Sequence, residues 1–474
     1  MDLFDSFSMT IGGESVFAAS TLPVMNPATE ETVGLAPRAD EANLDAAVAA
    51  ARSAFASWRR TPLEQRQRLV RELAARVKAH EADFARLLTL EQGKPLHAAR
   101  GSVYEVTSIQ TWLEAISRKS PPHEVLLDTP ERRVEVKREP LGVVGAIAPW
   151  NFPMTLAVWK IAPALVTGNT MVLKPSPFTP LTMLKFGELA KDVLPPGVLN
   201  VISGDDALGP WMTSHAGFDK IAFTGSTATG KAIMRSAADT MKRITLEMGG
   251  NDAAIVMDDV DLDKVVPRLF WGAFSNNAQF CLATKRLYVH DAIYERFAAA
   301  LVAYAKSVKV GNGLEEGTQL GPVQNRRQYD FVRELIASSR AAGHEFLLGG
   351  EVPAGKGLFV PVTIVGNPPD DSRVVAEEAF GPVLPLLRFR TVDEVVRRAN
   401  ASDYGLGASV WSADVAQAQA IGARLEAGTV WINTIHILSP DYVFGGYKQS
   451  AFGTENGMDG FLEYTHTQTV VTDF

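Results

Sequence analysis

Cys281, the only cysteine of the chain, lies in SNNAQFCLATKR, between a helical and a strand-like stretch. An ionised thiol is a strong nucleophile, although a lone cysteine is more often a small hydrophobe in a core. Four further segments favour chemistry. PWNFP (149–153) sets Asn151 at a strand end, where its amide could donate to a developing oxyanion or cap the next helix. LKPSP (173–177) puts Lys174 at the end of the following strand, and LEMGG (246–250) does the same for Glu247. EEAFGPV (377–383) joins the carboxylate of Glu378 to the ring of Phe380 ahead of a glycine turn. The loop after IAFTG, residues 225–232, reads GSTATGKA and comes close to the phosphate-loop pattern G-x4-G-K-[ST]. Ala232 stands where a hydroxyl would hold magnesium, which disfavours a nucleotide triphosphatase, and no metal site is expected. What remains is a tight glycine turn, or a cradle of N–H groups for a pyrophosphate.

These residues need elements that bring distant segments together. The first third reads as helical: residues 42–58 and 63–90 carry apolar side chains at three- and four-residue spacing, with Pro62 suited to the first turn of the second helix. VEVKREP, from Val134, alternates apolar and charged residues like a strand with one wet face. From Leu141 the pattern alternates. GVVGAIAP, TMVLKPS, GVLNVIS, DKIAFTGS and RITLEMGG read as strands, and 154–166, 181–193 and 207–215 as helices. A second series follows between 253 and 433, with AAIVMD, KRLYVH, LPLLRF, LGASVW and GTVWIN as strands. Continuous apolar strands spaced by helices predict an α/β fold of doubly wound parallel sheets, covered on both faces. FLEYTHTQTVVTDF, from Phe461, is strand-like and could pair with 134–140 outside either compact domain.

At 474 residues the chain exceeds what one core usually serves, so two domains are expected. Its composition, 46% hydrophobic and 21% charged, is that of a folded enzyme. A net charge of −8 gives no broad nucleic-acid footprint. No apolar run is long enough to span a bilayer, and the opening MDLFDSFSMT lacks the basic region of a signal peptide. One cysteine rules out an internal disulfide. A cytoplasmic enzyme is expected.

Taken together with FTGS (223–226) and FGGYKQS (444–450), these segments resemble the aldehyde dehydrogenase superfamily along nearly the whole chain, in order and at similar spacing. The resemblance implies a Rossmann-like cofactor domain (1–120 and 141–247), a catalytic domain (248–445) and a small β flap for oligomerisation (121–140 and 446–474) in a homodimer or homotetramer. It implies that Cys281 attacks the aldehyde carbon, giving a hemithioacetal and then a thioester. Asn151 and the Cys281 N–H would hold the oxyanion, and Glu247, its pKa lifted by partial burial, would act as general base. For NAD or NADP it implies Trp150, Lys174 and Ser176 on the adenosine side, Gly225 and Ser226 at the pyrophosphate, and Glu378 with Phe380 at the nicotinamide ribose.

Three departures stand out. Pro177 occupies the place of a glutamate that in many relatives binds both adenine-ribose hydroxyls, and no nearby arginine compensates on the NADP side, so dual use with a lean to NAD is expected. Asn251 replaces the common lysine after L-E-x-G-G, and Ala278 the common glycine before Gln279; both bear on loop geometry. A substrate tunnel drawn by the same resemblance comprises Met154, Trp159, Phe280, Leu282, Tyr442 and Phe444, with Ile435 and His436. Without an arginine clamp, it suits a medium-chain aliphatic or aromatic aldehyde better than a semialdehyde acid. A redox-silent thiol esterase and a structural protein on the same fold are the alternatives; a scaffold would need none of Asn151, Glu247 and Cys281.

Overall fold

A computed structural model describes residues 6–101 and 105–474, so the first five residues of the acidic opening lie outside it. The expected α/β architecture is present as two large sheets. The first has eight strands in the spatial order Glu14–Val16, Met9–Ile11, Leu199–Val201, Thr170–Lys174, Val143–Ile147, Lys220–Thr224, Arg243–Glu247 and Ala451–Phe452. Its five central strands are parallel. Ile147 lies opposite Lys174 and Phe223, and Thr224 opposite Glu247, so these strands end at one level. The chain steps outward from Val143–Ile147 in one direction, then returns and steps out in the other. Such a reversal opens a crevice at the carboxyl ends of the strands, where the loops begin.

The second sheet runs Glu345–Leu348, Thr363–Gly366, Val383–Phe389, Thr284–His290, Asp252–Val256, Gly407–Trp411 and Thr429–Ile432. Only Glu345–Leu348 is antiparallel to its neighbour. Separate apolar cores cover its two faces. One is built on helices Leu262–Phe274 and Tyr294–Lys306, the other on Arg326–Ala341, Val392–Asn400 and Val415–Gly422. Residues 248–251 link the two sheets, joining the end of Arg243–Glu247 to the start of Asp252–Val256.

Several local expectations are corrected. The helix read over 63–90 is two helices, Leu63–Ala79 and Glu81–Gln92, broken at His80 (φ −114°, ψ 19°). Val70, Val77, Phe84 and Glu91 are all buried at seven-residue spacing, so the period runs through the break and hides it. Pro62 precedes the first helical residue instead of lying in the first turn. Residues 6–40 hold short strands and no helix. Met9–Ile11 is too brief to show a period of two, yet it pairs with the first sheet through Thr10 and Val201.

Arg132–Pro140 pairs with Thr465–Asp473 along its whole length, as the sequence suggested, with Glu124–Asp128 on its other side. It lacks one wet face: residues 133–140 are all half-buried, and Arg133, Lys137 and His123 lie against the Glu135 carboxylate. Of the stretch from 446 onward, only Thr465–Asp473 joins this three-stranded sheet. Ala451–Phe452 extends the first large sheet, and Tyr447–Lys448 pairs with Tyr404–Gly405. No helix among the described residues is long and apolar enough to cross a membrane.

Candidate active site

Cys281 follows a 3-10 turn, Ser275–Ala278, and precedes the strand Thr284–His290. Asn276, Asn277 and Ala278 are consecutively left-handed (φ 51°, 56° and 60°). Asparagine tolerates that region, but alanine pays about 1–2 kcal/mol for the approach of its Cβ to the following carbonyl. Ala278→Gly is therefore expected to raise the melting temperature; a drop would show that the backbone relaxes without Cβ strain.

Gln279 holds the turn in place. Its Oε1 accepts from the Gln324 N–H (2.7 Å), and its Nε2 donates to the Asn276 and Pro322 carbonyls (3.0 and 3.3 Å). Its own carbonyl accepts from Asn151 Nδ2 (3.1 Å) and Asn276 Nδ2 (3.2 Å). The buried Asn151 amide is thus tied to main chain two residues before the thiol. The Asn151 carbonyl accepts from the Lys94 ammonium (3.1 Å), itself paired with buried Glu105 (2.8 Å). Sequence reasoning missed Lys94, Glu105 and the bracing by Gln279, since each acts through contacts far along the chain.

Close approach of the segments depends on glycine. A Cβ on Gly250 would stand 2.8 Å from the Cys281 carbonyl oxygen, and one on Gly249 would stand 2.1 Å from Glu378 Oε2. The paired glycines of LEMGG therefore let the linker pass between nucleophile and carboxylate.

Burial governs the electrostatics of the site. Burial pushes the Cys281 thiol up to about 12; Lys285 opposes this, and Asp252, Glu378 and Glu247 add to it. Glu247 is only 2% exposed, so its burial is complete, where partial burial was expected. Neither of its carboxyl oxygens has a hydrogen-bond partner among the described residues. Burial raises its pKa well above the usual carboxylate range, Glu455 and Glu463 add to the rise, and Lys160 opposes it. The Lys160 ammonium is held by Glu455 and by Thr224 Oγ1 (2.7 Å). Burial thus works against charge on both Cys281 and Glu247.

On the opposite flank, Ser226 caps helix Thr227–Ala238 by accepting from the Thr229 N–H (3.3 Å), while Gly225 N–H donates to the Glu247 carbonyl (3.0 Å). A Cβ on Gly225 would meet the Phe223 ring at 2.5 Å. Lys174 is buried at its strand end, and burial lowers its pKa to about 8 despite Asp206 and Asp205. Asp205 pairs with Arg38 (2.6 Å). Ser176 Oγ accepts from the Phe178 N–H (3.3 Å). Trp150 and Phe380, from separate motifs, meet edge to face at 5.3 Å.

The residues assigned to the substrate tunnel divide into two aromatic groups. Trp159 stacks on Trp112 (5.8 Å) and meets Phe444 (5.2 Å). Phe280 contacts Phe152 (5.0 Å) and His436 (4.6 Å). Met154 and Leu282 are fully buried, Ile435 packs on the same core, and Tyr442 is 59% exposed. Trp112 went unseen because only the packing of Val106–Ile116 on Pro153–Thr167 brings it in.

The aldehyde dehydrogenase family model matches residues 16–470. A Pseudomonas protein named "Probable aldehyde dehydrogenase" is 44% identical over 98% of this chain and 94% of its own length. Human retinal dehydrogenase 2 is 42% identical over 94% of this chain and 88% of its own. The solved NAD+ complex of an aldehyde dehydrogenase from Bacillus cereus superposes with a TM-score of 0.96 at 37% identity, covering 100% of this chain and 98% of that one. The chain belongs to the aldehyde dehydrogenase family, and its reaction class is the oxidation of an aldehyde.

Proposed function

We propose that the enzyme converts a medium-chain aliphatic or aromatic aldehyde to its acid through Cys281, with NAD or NADP as oxidant. One juxtaposition carries this reading: the Asn151 amide is bonded to main chain two residues before Cys281, while Gly250, in the linker that follows Glu247, lies against the Cys281 carbonyl. Sγ loses its proton and bonds to the aldehyde carbon, and the Asn151 amide and Cys281 N–H receive the oxyanion. The bound nicotinamide supplies the two-electron oxidation. Glu247, once ionised, takes a proton from the water that cleaves the thioester.

The residues present fit a dinucleotide. The Ser226-capped helix offers N–H groups to a pyrophosphate, with Gly225 in the turn that leads into it, and buried Lys174 at the strand end suits the adenosine side, with Trp150 and Ser176 assigned beside it. Glu378 and Phe380 are assigned to the nicotinamide ribose. The apolar and aromatic character of the assigned substrate residues supports the substrate class, and the bare edge strand Glu124–Asp128, with Val125, Leu126 and Leu127 exposed, supports a homodimer or homotetramer.

A panel of aldehydes offered with NAD, then NADP, tests the proposal through absorbance of the reduced nicotinamide. Turnover should favour aliphatic and aromatic aldehydes over semialdehyde acids. Ester cleavage with no nicotinamide dependence would instead support a thiol esterase.

Cofactor choice follows from Pro177, which offers a ribose neither hydrogen bond nor repulsion of a 2′-phosphate. The wild type should show a modest preference for NAD, helped by Asp205 and Asp206 near Lys174. Pro177→Glu should shift the ratio of kcat/KM values toward NAD by roughly tenfold or more, since a hydrogen bond to a charged group is worth about 1.5–3 kcal/mol. A wild type that rejects NADP outright, with a ratio unmoved by the substitution, would place selectivity elsewhere.

A further inference from the structure

Lys285 has no part in the chemistry described so far, yet it is a buried cation beside the nucleophile. It sits in the strand Thr284–His290 with its side chain 5% exposed. Its ammonium donates to the Cys281 carbonyl oxygen at 2.6 Å and pairs with Glu378 Oε1 at 3.1 Å. The same Glu378 oxygen accepts from the Gly250 N–H at 3.2 Å, which closes a ring between the cysteine turn, the glycine linker and the 377–383 turn. The Phe380 ring lies 5.9 Å from the ammonium.

We propose that Lys285 is a positioning residue for Cys281, tying the nucleophile's carbonyl to Glu378 and placing one positive charge against the developing thiolate. This rests on the assignment of Cys281 as nucleophile.

The surroundings explain why a cation is needed there. Asp252 from the neighbouring strand, Glu378 from its turn and Glu247 before the linker oppose ionisation of the thiol, and Lys285 favours it. Asp252 is itself pushed up to about 7 by burial, with Lys285 opposing. His436, whose ring hydrogen-bonds the Leu282 carbonyl at 2.8 Å, is lowered to about 4 by burial and so contributes no charge near neutrality. Without Lys285 the nucleophile would be surrounded by carboxyl groups. Fixing the Cys281 carbonyl also fixes the turn that carries the thiol and its N–H.

The single cysteine makes the test direct, because alkylation by iodoacetamide, followed by intact mass, reads Cys281 alone and needs neither cofactor nor dehydrogenase activity. Below the thiol pKa the alkylation rate follows the thiolate fraction, so a shift of one unit is roughly a tenfold change. Lys285→Met should slow alkylation roughly tenfold at pH 8 and displace the pH profile to higher pH, while Lys285→Arg should restore most of the rate. Glu378→Gln, which removes a negative charge and frees the ammonium, should act in the opposite direction and speed alkylation. Alkylation of Lys285→Met at the wild-type rate across the profile would overturn the proposal. If that variant fails to fold by circular dichroism, Glu378→Gln decides: faster alkylation supports the proposal, and an unchanged or slower rate overturns it. Loss of dehydrogenase activity with every alkylation rate unchanged would count against Lys285 while leaving the proposed reaction standing.

Discussion

Cys281→Ser should lower kcat/KM for aldehyde oxidation by on the order of a thousandfold or more, with folding and cofactor binding nearly intact. A serine hydroxyl holds its proton far more tightly than a thiol, and this site already penalises ionisation through burial and three nearby carboxyl groups. Nothing in the site would offset the change. The turn itself does not rely on sulfur: Gln279, Asn276 and Lys285 hold it through main-chain and amide contacts that serine leaves in place. A melting temperature close to the wild type's, with turnover lost, is the expected pair of results. Wild-type turnover in the variant would remove Cys281 from the mechanism.

Glu247→Gln is the second large effect. Deacylation should slow by on the order of a hundredfold or more, and a burst of reduced cofactor should precede a slow steady state. The pH dependence follows from the direction of the shift. Burial and Glu455 hold the Glu247 carboxyl protonated to well above its usual range, so the wild-type rate should climb with pH as that proton leaves, and Glu247→Gln should flatten the climb. Stability carries the opposite sign. A carboxyl whose pKa is raised on folding contributes stability below its unfolded value of 4.5 and loses it as pH rises through the folded value. The melting temperature of the glutamine variant relative to wild type should therefore rise as pH increases above 4.5. If the burst vanished and the oxidation step itself slowed, Glu247 would act on the thiol instead of the thioester.

The positions of these residues were legible where the cause is local. Lys174, Gly225 and Glu247 could be set at strand ends because short strand-like runs precede them in a parallel sheet, whereas the strand before Asn151 stops at Ile147 and leaves it in the turn that follows. Other features were hidden for physical reasons. Heptad spacing continues through His80, so periodicity alone cannot show the break. Thr363–Gly366, another short strand, shows itself only through its parallel pairing with Val383–Phe389. The depth of Glu247 is a property of packing, because its strand pairs with Ala451–Phe452 and its charge answers to Lys160 and Glu455. Lys285 reads from sequence as one more charge in a strand, and its importance lies in a carbonyl and a carboxylate that the fold delivers.

The central claim, that oxidation runs through an acyl group on Cys281, is tested most directly by intact mass of Glu247→Gln quenched within the burst. The thiol gains the aldehyde and loses two hydrogens to the oxidation, as hydride to the nicotinamide and a proton to solvent. The variant mixed with aldehyde and NAD should therefore gain the mass of the aldehyde less two hydrogens, in proportion to the reduced cofactor formed. The adduct should map to the peptide carrying Cys281 and be absent from Cys281→Ser. Reduced cofactor accumulating with no such adduct would contradict the account.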